Sequence, residues 1–225
     1  PADIFARYNR TIGNATLMVS GSDQHGTPIT VRAEEEGVSP AEVAERYHQQ
    51  FLETWQRLGI SFDLFTRTGT ANHFAVVRDL FLTLLNKGYI YKETMVSPYC
   101  PTCARFLPDR YIVGTCPFCG YPQARGDQCE RCGKPLNPFE LIDPRCRFCG
   151  GLPEQRATEH FFLRLTGFNE ALLRWVNEKT YWRPNVLNFT LRFLEEGLKD
   201  RAITRDIDWG IPVPLPGFES KRIYV

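Results

Sequence analysis

Ser20-Gly21-Ser22-Asp23-Gln24-His25-Gly26-Thr27-Pro28 is the stretch on which the fold turns. It follows residues 15–19, whose small apolar and β-branched side chains predict a buried strand. A polar, glycine-flanked loop at the carboxyl end of a strand is where open α/β sheets bind their ligands. Downstream, Ser39-Pro40-Ala41-Glu42 is a capping box with proline at the first helical position, so a helix starts there. Its apolar stripe runs through Val43, Tyr47, Phe51 and Trp55 to Leu58, and Gly59 closes it. Residues 71–85 repeat the pattern with Phe74, Val77, Phe81 and Leu84, closed by Gly88. Upstream, residues 2–10 predict a helix with Ile4, Phe5 and Tyr8 at helical spacing. A strand, a ligand-type loop and helices in this order predict part of a parallel α/β domain.

From Tyr89 the character changes. All eight cysteines fall between Cys100 and Cys149, in four Cys-x-x-Cys pairs: Cys100/Cys103, Cys116/Cys119, Cys129/Cys132 and Cys146/Cys149. A disulfide framework would spread its cysteines across the chain, and disulfides within Cys-x-x-Cys are strained and mostly catalytic. Four tandem pairs read instead as tetrahedral thiolate sites in a reducing compartment. Zinc is the expected metal, with rubredoxin-like iron a chemical alternative. The inner pairs, Cys116/Cys119 and Cys129/Cys132, are joined by a short loop and are expected to share one ion. Cys100/Cys103 would then meet Cys146/Cys149 around the outside, and pairing in chain order is the competing arrangement. Gly120, Gly133 and Gly150 follow three of the knuckles and supply the positive φ that such turns often need, whereas the first is followed by Ala104. No His, Asp or Glu completes either ligand set. Both sites are therefore expected to be closed and structural, with the chemistry elsewhere.

The knuckle span is too poor in long apolar periodicity to fold by burial alone, so metal binding is expected to fold it. Residues 89–96 and 110–113 predict strands within it. Beyond it, residues 160–165 predict a strand, residues 168–176 and 185–198 amphipathic helices, and Arg222-Ile223-Tyr224-Val225 a strand-like run. Three segments result: residues 1–88 as part of an α/β domain, 89–165 as a zinc-knuckle insertion, and 166–225 as helices and strand returning to the first. The 225 residues carry a formal charge of +1, which argues against a protein that grips nucleic acid by bulk electrostatics. No run approaches a membrane span and no leader opens the chain, which points to the cytoplasm.

Further motifs sharpen this reading. Ser22-Asp23-Gln24-His25-Gly26-Thr27-Pro28-Ile29 resembles the Asp-x-His-Gly-Thr-Pro-Ile signature of methionyl-tRNA synthetases, and Phe106-Leu107-Pro108-Asp109-Arg110-Tyr111 and Gly114-Thr115-Cys116-Pro117-Phe118-Cys119 resemble that family's insertion. Thr158-Glu159-His160-Phe161-Phe162 and Ile203-Thr204-Arg205-Asp206 continue the match, in order, over essentially the whole chain. The resemblance implies an incomplete class I nucleotide-binding (Rossmann-like) α/β domain carrying a zinc-knuckle insertion. It implies methionine and ATP as substrates, with magnesium, and tRNA as acceptor, its acceptor end near the insertion, in a protein holding two structural zinc ions. It assigns Asp23 to the methionine ammonium and Arg205 to methionine activation, while His25, able to donate to a phosphate or to hold the loop, is a candidate for the nucleotide side. In the residues alone, Asp23 also reads as a turn aspartate capping its loop, His25 as a structural histidine, and Arg205 as half of a surface pair with Asp206. Trp55, Trp175 and Trp182 read as core.

Departures from the family pattern belong to the same reading. The His-Ile-Gly-His-type motif belongs before Pro1, and the Lys-Met-Ser-Lys-Ser-type loop and the tryptophan that closes the methionine pocket belong past Val225. The resemblance therefore implies a fragment that activates no methionine by itself. Leucyl-, isoleucyl- and valyl-tRNA synthetases are poorer fits, because their editing domain has no room after Tyr89. A zinc-ribbon nucleic-acid module without catalytic parentage is the rival of another class. Arg105, Arg110, Arg125, Arg131, Lys134, Arg145 and Arg147 would serve it, although Asp109, Asp127, Glu130, Glu140 and Asp143 interleave with them.

Overall fold

A computed structural model describes residues 1–224, and Val225, the end of the strand-like run, lies outside them. The chain opens with helix α1 (Ala2–Thr11) and short strand β1 (Val19–Ser22). Helices α2 (Thr27–Glu36) and α3 (Pro40–Arg57) follow, then β2 (Leu64–Arg67) and α4 (Ala71–Asn86). Strands β1 and β2 pair in parallel, Val19 opposite Leu64 through Ser22 opposite Arg67, so α2 and α3 form the crossover between them. The capping box of α3 forms in both directions, with Ser39 accepting from the Glu42 backbone and Glu42 accepting from Ser39.

Two expectations for this half are corrected. The strand occupies Val19–Ser22 rather than residues 15–19, taking up the first part of the loop, and it is not buried: Val19 is 64% and Leu17 83% exposed. Likewise the stripe of α3 lies largely in solvent at Tyr47, Phe51 and Leu58, and the buried face is Val43, Ala44 and His48. The physical reason is the same in both places. Apolar periodicity marks a face able to pack, and a two-stranded sheet offers too little surface to cover it. On α1, Ile4, Phe5 and Tyr8 are exposed for that reason as well.

The second half is organised by a long antiparallel ribbon. Strand β3 (Ile90–Cys100) pairs with β8 (Glu154–Leu163) over ten residue pairs, from Ile90 opposite Leu163 to Tyr99 opposite Glu154. Between these strands lie β4 (Arg105–Phe106), β5 (Ile112–Thr115), β6 (Ala124–Arg125) and β7 (Ile142–Cys146). The order β6-β5-β7 makes a separate small sheet that carries the knuckles. Residues 110–111 belong to a 3-10 turn, so the expected strand begins at Ile112 instead, and β8 starts six residues earlier than residue 160 because its register with β3 extends it. Helices α5 (Asn169–Asn177) and α6 (Pro184–Glu195) follow. The chain then returns through β9 (Arg201–Ala202), which pairs with β8, and through β10 (Thr204–Arg205), β11 (Ile211–Pro212) and β12 (Arg222–Ile223), ordered β10-β12-β11.

Two apolar clusters result. One joins Phe81 of α4, Ile90 of β3, Phe161 of β8, and Ile211, Val213 and Ile223 of the return, with Phe81 edge-on to Phe161 at 5.2 Å. The other wraps Leu107, Tyr111, Ile112, Ala124, Leu136 and Leu141 around the buried cysteines, and Val31 of α2 enters it. The Tyr111 hydroxyl donates to Thr30 on α2 at 2.6 Å, and Arg147 and Arg105 pair with Glu35 and Glu34 of the same helix. The knuckle region is thereby seated on the helix that begins directly after the Asp23–His25 loop. The three tryptophans read as core are not core: Trp175 is 47% exposed, and Trp55 and Trp182 are half-buried.

Candidate functional site

The cysteines gather into two clusters. Cys116, Cys119, Cys129 and Cys132 form one and Cys100, Cys103, Cys146 and Cys149 the other, with the sulfurs of each set within 4.8 Å of one another. In the outer cluster the Cys100–Cys149 and Cys103–Cys146 separations are 3.4 and 3.8 Å. In the inner cluster Cys116–Cys132 and Cys119–Cys129 are 3.9 and 3.6 Å. A tetrahedral zinc ion with Zn–S bonds of about 2.3 Å separates its sulfurs by about 3.8 Å, so both sets fit such an ion.

The electrostatics agree with that donor set. Each cluster holds one thiol that ionises readily. The Gly151 N–H holds Cys149 down at about 7, while the N–H groups of Cys132 and Arg131 overcome burial to hold Cys129 at about 7. The neighbouring sulfurs push Cys103 up to about 12, led by its contact with Cys149. Cys119, despite an N–H from Tyr121, is driven to about 12 by burial and its neighbouring cysteines. Four adjacent sulfurs cannot all be thiolates without a cation among them.

The turns behind the knuckles explain their sequence. Gly120, Gly133 and Gly150 have φ of 71°, 71° and 70°, and the backbone of Ala104 is forced into the same left-handed region at φ 51°.

Most arginines around the knuckles are committed to acids. Arg110 meets Asp127 at 3.3 Å and Arg125 meets Glu130 at 2.6 Å, while Arg105 and Arg147 reach α2 and Lys134 lies 4.3 Å over the Phe118 ring. This is the solvated, mixed-charge face rather than a phosphate-gripping stripe.

A second feature lies where β1 ends. Asp23 and His25 stand at the edge of a cavity of about 480 Å³ whose walls come from α4, the β3–β8 ribbon and the return, including Val77, Phe81, Leu163 and Ile211. Asp23 Oδ1 accepts from the His25 N–H at 3.1 Å, so the aspartate does cap its own loop, yet its side chain stays exposed on the cavity. His25 lies between the rings of Phe74, at 5.5 Å, and Trp209, at 5.7 Å. Burial lowers its pKa, partly opposed by Asp23 and reinforced by His73, which favours the neutral ring.

Arg205 is not on that cavity. Its guanidinium lies 4.9 Å over the ring of Tyr224, a cavity-wall residue, and its Nη1 donates to the carbonyls of Ala202 and Thr204 at 3.0 and 2.9 Å. Nor does Arg205 form a surface pair with Asp206. The Asp206 carboxylate turns to His160, at 3.0 Å, and to Lys221. Burial would raise this carboxyl, but hydrogen bonds from His160 and Lys221 prevail and hold it at about 2.

Sequence reasoning missed three supports of this site. Ser22 and His48, both buried, share a hydrogen bond of 2.7 Å that fastens the end of β1 to α3. Trp209 donates its indole N–H to the Gln24 carbonyl at 2.5 Å and ties the return to the loop. Thr68 accepts from the Gln24 N–H at 2.9 Å. A histidine on the buried face of a capped helix, and a lone tryptophan in a Pro/Gly-rich segment, were the available signals.

The architecture is that of a class I aminoacyl-tRNA synthetase. The crystal structure of Mycobacterium tuberculosis methionyl-tRNA synthetase bound by methionyl-adenylate superposes with a TM-score of 0.69 at 24% identity, over 99% of this chain and 39% of that one. The family model described as tRNA synthetases class I (M) matches residues 1–225, and the chain belongs to that family. It is 66% identical to a methionine–tRNA ligase of Dehalococcoides mccartyi and 60% identical to that of Thermomicrobium roseum, each across all of this chain. It spans 41% and 38% of those relatives' lengths. The match over the whole chain sets aside a zinc ribbon of no catalytic parentage, and no described helix is long and apolar enough to cross a membrane.

Proposed function

We propose that this chain forms one wall of the methionine-activating site of a methionine–tRNA ligase, together with a zinc-held insertion. The observation that carries the reading is the Asp23 carboxylate at the rim of an apolar cavity. A carboxylate recognises an ammonium group by charge-assisted hydrogen bonds, and an apolar cavity recognises an unbranched thioether side chain by burial. In this reading Asp23 holds the amino group of methionine. His25, kept neutral by its aromatic surroundings, offers a ring nitrogen on the nucleotide side. Arg205 pairs with carboxylate or phosphate as the methionine carboxylate displaces pyrophosphate from ATP to give methionyl-adenylate, magnesium when bound offsetting the phosphate charge. The aminoacyl group then passes to tRNA with release of AMP.

Cys100, Cys103, Cys146 and Cys149 would hold one zinc ion and Cys116, Cys119, Cys129 and Cys132 a second. Bound there, each would neutralise thiolate charge and brace the turns, with no open position for catalysis. Residues 1–88 then supply the wall, 89–165 the metal-held insertion that faces the tRNA acceptor end, and 166–225 the return. The grouping of eight cysteines into two four-sulfur sets, the donor pattern of metal sites rather than of a disulfide framework, supports a reducing, cytoplasmic setting.

Two measurements test this reading. Elemental analysis of the purified protein is expected to give two zinc ions per chain, and one or none would contradict the paired clusters. Calorimetry on the full-length protein is expected to detect methionine binding that Asp23→Ala weakens on the order of tenfold to a hundredfold, the range for a lost charge-assisted bond. Unchanged affinity would remove Asp23 from the site.

A further inference from the structure

Both ring nitrogens of His160, 3% exposed on β8, are engaged by hydrogen bonds, and none of the roles above uses this residue. Its Nδ1 is 2.9 Å from Thr204 Oγ1 and its Nε2 is 3.0 Å from Asp206 Oδ2. One imidazole therefore ties down the residues immediately before and after Arg205. The hydrogen-bond pattern assigns the tautomer. Asp206 can only accept, so Nε2 carries the proton. Thr204 Oγ1, which already accepts the Phe161 N–H at 3.0 Å, donates its own hydrogen to Nδ1.

The partners are themselves held. Thr158 donates to Asp206 Oδ2 at 2.9 Å, and Lys221 reaches both Thr158, at 2.8 Å, and Asp206 Oδ1. Burying an aspartate, a lysine and a histidine together is costly unless every polar atom finds a partner, and such networks admit a single arrangement.

We infer that His160 is a positioning residue for Arg205. With Thr204 and Asp206 pinned to one ring on one side of the strand, the side chain between them is left on the other side. There its guanidinium lies over Tyr224, whose ring, not the arginine itself, lines the Asp23 cavity. Backbone pairing brings the chain to this point, with Ala202 opposite Phe162 and Ile203 donating to the Phe161 carbonyl. But β10 itself contributes only Thr204 and Arg205 to its sheet, and a strand so short can twist. The staple adds side-chain fixation to that backbone register, and it does so from β8, the strand on which the chain leaves the knuckle region.

This inference rests on the proposed role of Arg205 in methionine activation, and the test separates the two. Methionine-dependent pyrophosphate exchange would be measured on the zinc-loaded full-length protein for Arg205→Ala, His160→Ala, the double variant and His160→Gln. His160→Ala is expected to lower kcat about tenfold to a hundredfold, the scale of a misplaced catalytic group, and to leave the methionine KM unchanged. The double variant is expected to be no worse than Arg205→Ala, since a residue acting through Arg205 has nothing left to position. His160→Gln, which can still donate to Asp206, is expected to recover part of kcat. Additive losses, a shift in KM in place of kcat, or full activity of His160→Ala would overturn the staple. A silent Arg205→Ala would overturn instead the role on which it rests. If His160→Ala fails to fold, Thr204→Val removes one arm of the staple at constant shape, and the same non-additivity with Arg205→Ala is required.

Discussion

The knuckle region and the cavity region meet along α2 and the β3–β8 ribbon, yet different forces hold them. In the knuckle region four sulfurs sit at the centre of the core: Cys100, Cys116, Cys129 and Cys146 are 0–1% exposed, as are Leu107, Ile112 and Ala124 packed around them. In the cavity region aromatic and aliphatic side chains from α4, β3, β8, β11 and β12 interlock, and a polar network through His160, Asp206 and Lys221 engages the residues on either side of Arg205. In the proposed reading the first region draws much of its folding energy from two ions, and it is seated on α2 through Val31, Tyr111, Arg105 and Arg147. The second depends on surface contacts, and it leaves apolar side chains such as Leu17, Phe5 and Phe189 in solvent wherever this chain offers no cover. A metal-held module can be carried as an insertion because it brings its own folding energy, whereas a wall of a cavity cannot be understood apart from what it packs against.

The largest expected effect would break this comparison if it failed. Structural zinc contributes on the order of 10 kcal/mol to small modules of this kind, so Cys116→Ser or a strong chelator is expected to unfold residues 112–146. Helices α3 and α4 are expected to keep their amide protection in the same sample. Hydrogen exchange that leaves the knuckle amides protected, or that unfolds both regions together, would erase the distinction.

A smaller effect sharpens the account of the cavity region. The Asp206 carboxyl titrates at about 2 in the folded chain against an ordinary 3.8. A depressed carboxylate contributes stability that is fully present above its unfolded pKa and is lost as pH falls through the folded value. Thermal melts are therefore expected to lose this contribution between about pH 4 and pH 2, and Asp206→Asn should flatten that part of the profile. Parallel profiles for the two proteins would show that the network carries no linked charge.

The smallest effect returns to the knuckles. Ala104 stands in the left-handed region that glycine occupies after the other three pairs. Relief of that strain by Ala104→Gly is expected to stabilise the outer site by about 1 kcal/mol, read as slower zinc loss to a chelator. An unchanged or faster release would mean that the outer site does not feel its own turn.

How much of this was legible in the sequence follows from the same contrast. The knuckles were readable because metal geometry is written locally, in a spacing of three and a following glycine, and the missing glycine at Ala104 already marked the odd turn. The capping box of α3 and the helical span of α4 were readable for a similar reason, since caps and periodicity are local. What escaped was decided at long range. The Asp206–His160 and Trp209–Gln24 contacts join residues 46 and 185 positions apart, and no local pattern announces either. The exposed stripes of α1 and α3 misled because periodicity states which face can be buried but not what stands opposite it. Asp23 was singled out by the resemblance of its loop, since its residues alone also read as a turn cap, while the cavity it borders appears only once α4 and the return close around it.

The central claim is that Asp23 meets the ammonium of methionine beside this cavity. Methionine-dependent pyrophosphate exchange by the full-length protein, with and without Asp23→Ala, tests it most directly. The account predicts robust exchange by the unaltered protein and a loss in kcat/KM on the order of tenfold to a hundredfold in the variant, with zinc content and melting temperature unchanged. Undiminished exchange by a folded Asp23→Ala protein would contradict it.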